Sequence, residues 1–151
     1  MLEDPFDAFP DPSGTSRAWI RYVEEMGRSV HIVGNQLVGT DPQKVAKVGD
    51  DKACNGATLR WSDFATVSDA LGFAKLLHEQ YWGVVLQDDQ CTCAETFSAD
   101  FAVGAQLGNL RAGGLKGQGH TGKYNRVLQI ADEMGKEGEY VGARFLSGLT
   151  S

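Results

Sequence analysis

The sequence predicts an α+β fold: one small domain with a short mixed or antiparallel sheet, three to four helices and an extended N-terminal arm. Apolar residues recur at helical spacing in several segments, and short apolar runs bounded by glycine or aspartate lie between those segments. Proline is concentrated near the N-terminus. A chain of 151 residues has the length of one domain and can bury a sizeable core. We therefore expect an arm over residues 1–14 and a single α+β domain over residues 15–151.

The first fourteen residues, MLEDPFDAFPDPSG, have an unusual composition. They contain three of the four prolines and four acidic residues, and they contain no lysine or arginine. Proline removes a backbone donor and favours extended backbone, which predicts an arm rather than a helix. Aromatic side chains on such an arm are expected to dock, either on this domain or on a neighbouring protein. The predicted partner-binding residues are Phe6, Phe9, Asp7 and Asp11.

The elements of the domain are predicted from periodicity, caps and turn residues. Thr15 or Ser16 and Asp41-Pro42 are helix-start signals, and Thr66 or Ser68 begins the most regular apolar stripe. Four helices are expected, over 15–27, 41–48, 66–82 and the segment after Gly122. Residues 98–111 carry a further helical pattern, which Gly104 and Gly108 weaken. Strands are expected in a hairpin over 29–38 that turns at Gly34-Asn35, and over 57–62, 84–86, 91–97 and 140–146.

Charge and hydropathy exclude several classes of protein. The net charge is −6 and the pI is about 5.0, which disfavours direct binding to nucleic acid through phosphate neutralisation. The chain lacks an apolar run long enough to span a bilayer, and its first residues lack the apolar region of a secretory signal. We therefore expect a cytoplasmic protein, not secreted by a classical signal and not bound to membrane.

The three cysteines, Cys54, Cys91 and Cys93, are an odd and low count, which indicates free thiols in a reducing compartment. The sequence predicts no metal and no cofactor. The alternative is a zinc site made by these three thiols and one histidine, although Cys91 and Cys93 lack the usual Cys-x-x-Cys spacing.

A glycine-rich segment over residues 113–122 carries the most suggestive motif. Residues 117–124, GQGHTGKY, nearly match the phosphate-binding loop, but Tyr124 stands where that loop needs a hydroxyl for Mg²⁺ and no apolar strand precedes it. The sequence therefore argues against a nucleotide hydrolase. A glycine-rich loop that leads into a helix still favours anions. The predicted anion-binding candidates are Lys116, His120, Lys123 and Arg126.

No complete catalytic set is found, so the sequence favours a non-enzymatic protein–protein interaction protein. Such a protein would be a structural subunit of a larger assembly, for example a virion-type particle or a homo-oligomer, or it would be a small acidic inhibitor of another protein. The alternative is a small enzyme that acts on a phosphate-bearing or nucleotide ligand at residues 113–126. In that alternative His120 is the acid–base group and Lys123 contacts the anion.

Overall fold

The structure is a computed structural model that describes residues 1–7, 17–89 and 95–142. The strands are β1 (Leu2–Glu3), β2 (Ile32–Val33), β3 (Gly56–Arg60), β4 (Gly83–Gln87) and β5 (Gly108–Arg111). The helices are α1 (Arg17–Met26), α2 (Asn35–Val38), α3 (Pro42–Asp50), α4 (Val67–Glu79), α5 (Phe97–Gly104) and α6 (Gln118–Met134). Short 3₁₀ helices cover Trp61–Asp63 and Gly135–Glu137.

The five strands form one sheet in the order β1-β2-β3-β4-β5, and every neighbouring pair is parallel. The predicted mixed or antiparallel sheet is therefore wrong. At least one helix lies between consecutive strands, and such a crossover returns the chain to the same edge of the sheet, so that the next strand runs parallel to the last.

The error arises at the predicted hairpin over 29–38. After Val33 the chain does not turn back: the N–H of Gly34 donates to the carbonyl of Gly56 (3.0 Å) on the next strand, and α2 begins at Asn35. Residues 35–38 are therefore helical. What resembled two strands and a turn is one strand followed by the start of a crossover.

Residues 1–7 of the predicted arm belong to the described part of the chain. Leu2 and Glu3 pair with Ile32 and Val33 and form the edge strand β1. The Phe6 ring packs edge-on against Trp19 and Tyr22 of α1, with centroid distances of 6.0 and 5.5 Å, so Phe6 is anchored within the chain. Asp7 is exposed, and its carbonyl oxygen lies 3.5 Å from the indole N–H of Trp19. Phe9 and Asp11 lie outside the described residues.

Three of the predicted helices are confirmed. Helix α1 places Trp19 fully in the core. Helix α3 begins at Pro42, and the Asp41 carboxylate caps it by accepting from the N–H of Gln43 (2.9 Å). Helix α4 is capped by the Thr66 hydroxyl, which accepts from the N–H of Asp69 (3.1 Å).

The C-terminal third departs further from the prediction. The expected helix over 98–111 is a shorter helix, α5, followed by the strand β5, and α6 begins at Gln118 inside the glycine-rich segment. Residues 140–142 are not in a strand. Of the predicted strand over 91–97, residues 91–94 lie outside the described part, and α5 begins at Phe97. Residues 143–146 also lie outside it.

The sheet curls into half of a barrel. Met1 lines the same cavity as Asn109 and Arg111, and Glu3 forms an ion pair with Arg111, although β1 and β5 are the two edges of the sheet. The convex face is covered by helices: Ile32, Leu59, Val84 and Leu86 pack with helix residues such as Trp19, Phe73 and Leu77 in one core. The concave face carries the other side chains of each strand.

A buried polar cluster joins the strands at their amino ends. The Asn55 side chain accepts from the N–H of Ile32 (2.6 Å) and donates to the carbonyls of Gly27 (3.0 Å) and Val30 (3.1 Å). The His31 imidazole lies against Gly56, where an added Cβ would be 2.0 Å from its Nε2 atom. This cluster lies at the end of the half-barrel opposite the carboxyl ends of the strands.

Candidate functional site

The carboxyl ends of the parallel strands form the candidate site, because ligands of parallel α/β sheets bind at that edge. Side chains of a strand alternate between its two faces. Glu3 contacts both Thr58 and Arg111, so these three side chains mark the concave face. Arg60 and Gln87 lie on the same face by alternation and register.

Three of these residues form a row across the last turn of the sheet. In the backbone register, Arg60 lies opposite Gln87, and Gln87 lies opposite Arg111. Two guanidinium groups therefore flank one amide at the ends of β3, β4 and β5. Arg60 Nε also lies 3.1 Å from the Asp63 carboxylate, and the Arg60 side chain is 38% exposed. A guanidinium has five N–H donors, so one ion pair leaves each arginine with donors for a further anion.

Two polar side chains of the concave face, Gln87 and Asn109, have buried atoms that need a hydrogen-bond partner. Within the described part of the chain, Gln87 Oε1 and Asn109 Nδ2 are buried and have no hydrogen-bond partner. Buried polar atoms normally have such partners. Beside them a cavity of about 330 Å³ is lined by Met1, Val85, Asn109, Leu110, Arg111, Ala112, Gly113 and Tyr124. Its volume falls within the range of small-molecule sites.

The structure gives Lys123 a structural partner. Its ammonium group is fully buried, lies 2.8 Å from the Asp88 carboxylate and also donates to the Asp88 carbonyl. The pair ties α6 to the chain that leaves β4. The charge of Lys123 is thus already balanced inside the protein.

His120 lies next to the end of β5. Its Nδ1 is 2.9 Å from the carbonyl oxygen of Ala112, and because a carbonyl only accepts, Nδ1 carries the proton and Nε2 is the basic nitrogen of the neutral ring. The ring packs on Gly113, which has φ +89°, and a Cβ at Gly113 would lie 2.3 Å from Nδ1. The Tyr124 hydroxyl donates to the Gly113 carbonyl (2.5 Å).

The other predicted anion-binding residues are not gathered around His120. Arg126 binds the carboxylates of Asp100 (2.6 Å) and Glu133 (2.9 Å), and this contact lowers the pKa of Asp100 below its usual value. Lys116 is exposed in the bend before α6. The anion-binding role of Lys116, His120, Lys123 and Arg126 remains a prediction.

The proposed zinc set gains no support. Cys54 is buried, and burial raises the pKa of its thiol to about 12. Cys91 and Cys93 lie outside the described residues. Over residues 1–7, 17–89 and 95–142, no three His, Cys, Asp or Glu side chains are placed to share a metal ion.

Comparison with known proteins decides the family. A family model described as "Enolase, C-terminal TIM barrel domain" matches residues 1–148. The chain belongs to this family. It is 33% identical over 144 residues to an enolase of Solanum lycopersicum and 33% identical over 147 residues to enolase 2 of Hevea brasiliensis. Each match covers 95% of this chain and 31% of the relative, so the chain spans about a third of the length of these curated relatives.

Membership of the enolase family agrees with the five parallel strands of the curled half-barrel. It overturns the prediction of a non-enzymatic assembly subunit or inhibitor, because the relatives are named as enzymes. It also gives no support to a nucleotide site in the glycine-rich segment. In TIM barrels the active site lies at the carboxyl ends of the strands, which is where Arg60, Gln87 and Arg111 form their row.

Sequence reasoning missed Arg60 and Arg111. The signal was present, since each is a charged residue that ends a short strand sequence, GATLR and GNLR. Protein partners, self-assembly, the absence of nucleic acid binding and the cytoplasmic location remain predictions. Among the described helices, none combines the length and apolar character needed to cross a membrane.

Proposed function

We propose that this chain forms part of the catalytic barrel of an enolase-type enzyme, and that its row of Arg60, Gln87 and Arg111 binds an anionic substrate. The observation that carries the proposal is the register: the two guanidinium groups share the concave face at the strand ends. The two arginines are separated by two strand intervals, roughly 10 Å between backbones. This spacing suits a small molecule with two anionic groups.

The family chemistry explains why cations at this place matter. Enolase-superfamily sites remove a proton next to a carboxylate and stabilise the ene-diolate that forms. Preorganised cationic donors stabilise such charge because they need no reorientation during the reaction. Arg60 and Arg111 hold the substrate carboxylate and its developing charge. They do not remove the proton, since arginine stays protonated in proteins.

His120 is the acid–base residue that we propose for this part of the site. It follows Arg111 closely in the chain, and the hydrogen bond of Nδ1 to Ala112 leaves Nε2 able to accept a proton. The Gly113 contact and the carbonyl acceptor fix the orientation of the ring. A histidine fixed in one tautomer is suited to general acid–base work.

Enolase-superfamily sites also hold one or two Mg²⁺ ions, which supply positive charge opposite the ene-diolate when bound. The carboxylates described at this edge do not fit such an ion. Glu3 binds Arg111, Asp88 binds Lys123, Asp89 accepts from the Gln87 amide (3.1 Å) and Asp4 accepts from the N–H of Gln36 (3.0 Å). We therefore derive no step through Mg²⁺.

Calorimetric titration with malonate and with acetate tests the proposed anion site. Malonate carries two carboxylates and is expected to bind more tightly than acetate. Arg60→Gln and Arg111→Gln should each weaken malonate binding by about 10-fold or more, as expected for loss of a charged hydrogen bond. Arg21→Gln is the matched control, because Arg21 is exposed on α1 and pairs with Glu25 of the same helix. Equal malonate affinity in all three variants would rule the site out.

A further inference from the structure

The Glu3 carboxylate is held by groups from two other strands. Its Oε2 atom accepts from the Arg111 guanidinium on β5, and its Oε1 atom accepts from the Thr58 hydroxyl on β3 (3.4 Å). Both oxygens are thus engaged. The side chains of Glu3 and Arg111 are 22% and 30% exposed, so the pair is partly withdrawn from water.

A divalent cation competes poorly for a carboxylate in this setting. Mg²⁺ needs carboxylate oxygens at short distance in a strict octahedral arrangement. A guanidinium in contact with the same carboxylate repels such an ion, and it stays charged at all physiological pH values. The adjacent Asp4 is also engaged, since its carboxylate accepts from the N–H of Gln36 (3.0 Å).

We propose that the Arg111 guanidinium, and not a divalent cation, is the counter-ion of Glu3 in this chain. The ion pair connects the first and last strands of the half-barrel and neutralises the Glu3 carboxylate at its mouth. This neutralisation is independent of metal supply. The proposal goes beyond the anion site, because it requires no anion to bind.

Thermal unfolding in EDTA and in millimolar MgCl₂ tests the proposal on the whole chain and on Glu3→Gln, Arg111→Gln and the double variant. We expect the wild-type Tm to be the same in both buffers. Each single variant should lower the Tm, and the double variant should lower it no more than the larger single effect, because both changes remove one interaction. Arg21→Gln is the control for loss of an exposed cation.

Two results would overturn the proposal. One is a rise in the wild-type Tm with MgCl₂, of about 5 to 10 °C for an ion at 100 times its Kd, that disappears in Glu3→Gln. The other is a double variant whose Tm loss equals the sum of the single losses. If Arg111→Gln does not fold, Mn²⁺ binding is measured by electron paramagnetic resonance on the wild type and on Glu3→Gln, because both proteins keep Arg111. Equal Mn²⁺ binding by wild type and Glu3→Gln supports the proposal, and weaker binding by Glu3→Gln refutes it.

The failure of this proposal is distinguishable from the failure of the anion site. Loss of malonate binding is measured with Arg60→Gln, which leaves the Glu3–Arg111 pair intact. A chain that binds no malonate but shows the expected independence from MgCl₂ refutes the anion site alone. A chain that binds malonate and also binds Mg²⁺ through Glu3 refutes the counter-ion proposal alone.

Discussion

The Glu3 carboxylate on β1 accepts a hydrogen bond from the Arg111 guanidinium on β5, although the two strands are the opposite edges of a five-stranded sheet. In a flat sheet four strand intervals would separate these backbones by roughly 19 Å. An ion pair across that span requires the sheet to curl. The same curl brings the strand-end arginines to a common concave face, where the family places its active site.

Gly56 fixes how closely β3 approaches the buried histidine, so Gly56→Ala should destabilise the protein. The added methyl group would lie 2.0 Å from His31 Nε2 and 2.8 Å from the Gly83 carbonyl. Overpacking of this kind costs about 1–3 kcal/mol of unfolding free energy. Urea unfolding measures the loss.

Gly72→Ala is the matched control for Gly56→Ala. Gly72 lies within α4, and an added Cβ would meet nothing within 4 Å. Alanine is the better helix former, so this variant should gain about 0.5–1 kcal/mol. Similar stability changes for the two variants would contradict the packing described around His31.

Replacement of Lys123 by methionine should be strongly destabilising. The Lys123 ammonium is fully buried against Asp88, whose side chain is only 11% exposed. Removing one partner of a buried ion pair leaves the other charge without compensation and costs about 3–5 kcal/mol. Chemical denaturation of Lys123→Met gives this cost, and Lys123→Met/Asp88→Asn should recover part of it.

Asp100→Asn is the control for an exposed ion pair. Asp100 binds Arg126 at the surface, where water and salt screen the interaction. Its replacement should change stability little. A Lys123→Met variant as stable as Asp100→Asn would show that the buried pair with Asp88 is absent in solution.

Acid should unfold this protein partly through His31. Burial lowers the pKa of His31 from 6.5 to about 4, against the opposing effect of a hydrogen bond with the Gly83 backbone. The unfolded chain therefore takes up a proton at His31 near pH 6.5 while the folded chain does not. The resulting stability is complete above pH 6.5 and falls by about 3 kcal/mol as the pH drops through 4.

Proton NMR isolates this effect from the titration of carboxylates. The His31 Cε1–H resonance of the folded protein should move only near pH 4, whereas in urea it should titrate near 6.5. Unfolding of His31→Gln should then show a smaller loss of stability between pH 7 and 4 than the wild type. Titration of folded His31 near 6.5 would contradict its burial among Gly56 and Asn55.

Local signals were sufficient to predict several helices. Asp41-Pro42 and Thr66 are caps whose chemistry depends only on neighbouring residues, and α3 and α4 begin at these places. The stripe that contains Trp19 likewise gave α1. Helices α3 and α4 each carry their own start signal, so no knowledge of the distant chain was needed.

The parallel sheet was not predictable in the same way. The sequence of β4, GVVLQ, is a continuous apolar run, which is typical of a parallel strand buried on both faces, but so short a run does not separate a strand from a buried helix segment. Gly34-Asn35 has the composition of a hairpin turn, yet the Gly34 N–H bonds to Gly56 in a parallel partner. Strand β5, GNLR, holds one large apolar residue and gives almost no strand signal.

The candidate site was missed because it depends on that topology. Arg60 and Arg111 are 51 residues apart in the numbering, and only the parallel register through Gln87 brings them into one row. The glycine-rich segment attracted notice through its composition, but Lys123 and Arg126 have acidic partners within the fold. Charge by itself does not show whether a cation is free to bind a ligand.

An NMR titration of the arginine Nε–H signals with malonate tests the proposed anion site at the strand ends most directly. If the curled strand ends form an anion site, the Arg60 and Arg111 signals shift together and saturate with one common Kd, while the signal of Arg21 on α1 stays in place. If Arg60 and Arg111 respond no more than Arg21, the row does not bind the anion and the proposed role of this face is wrong.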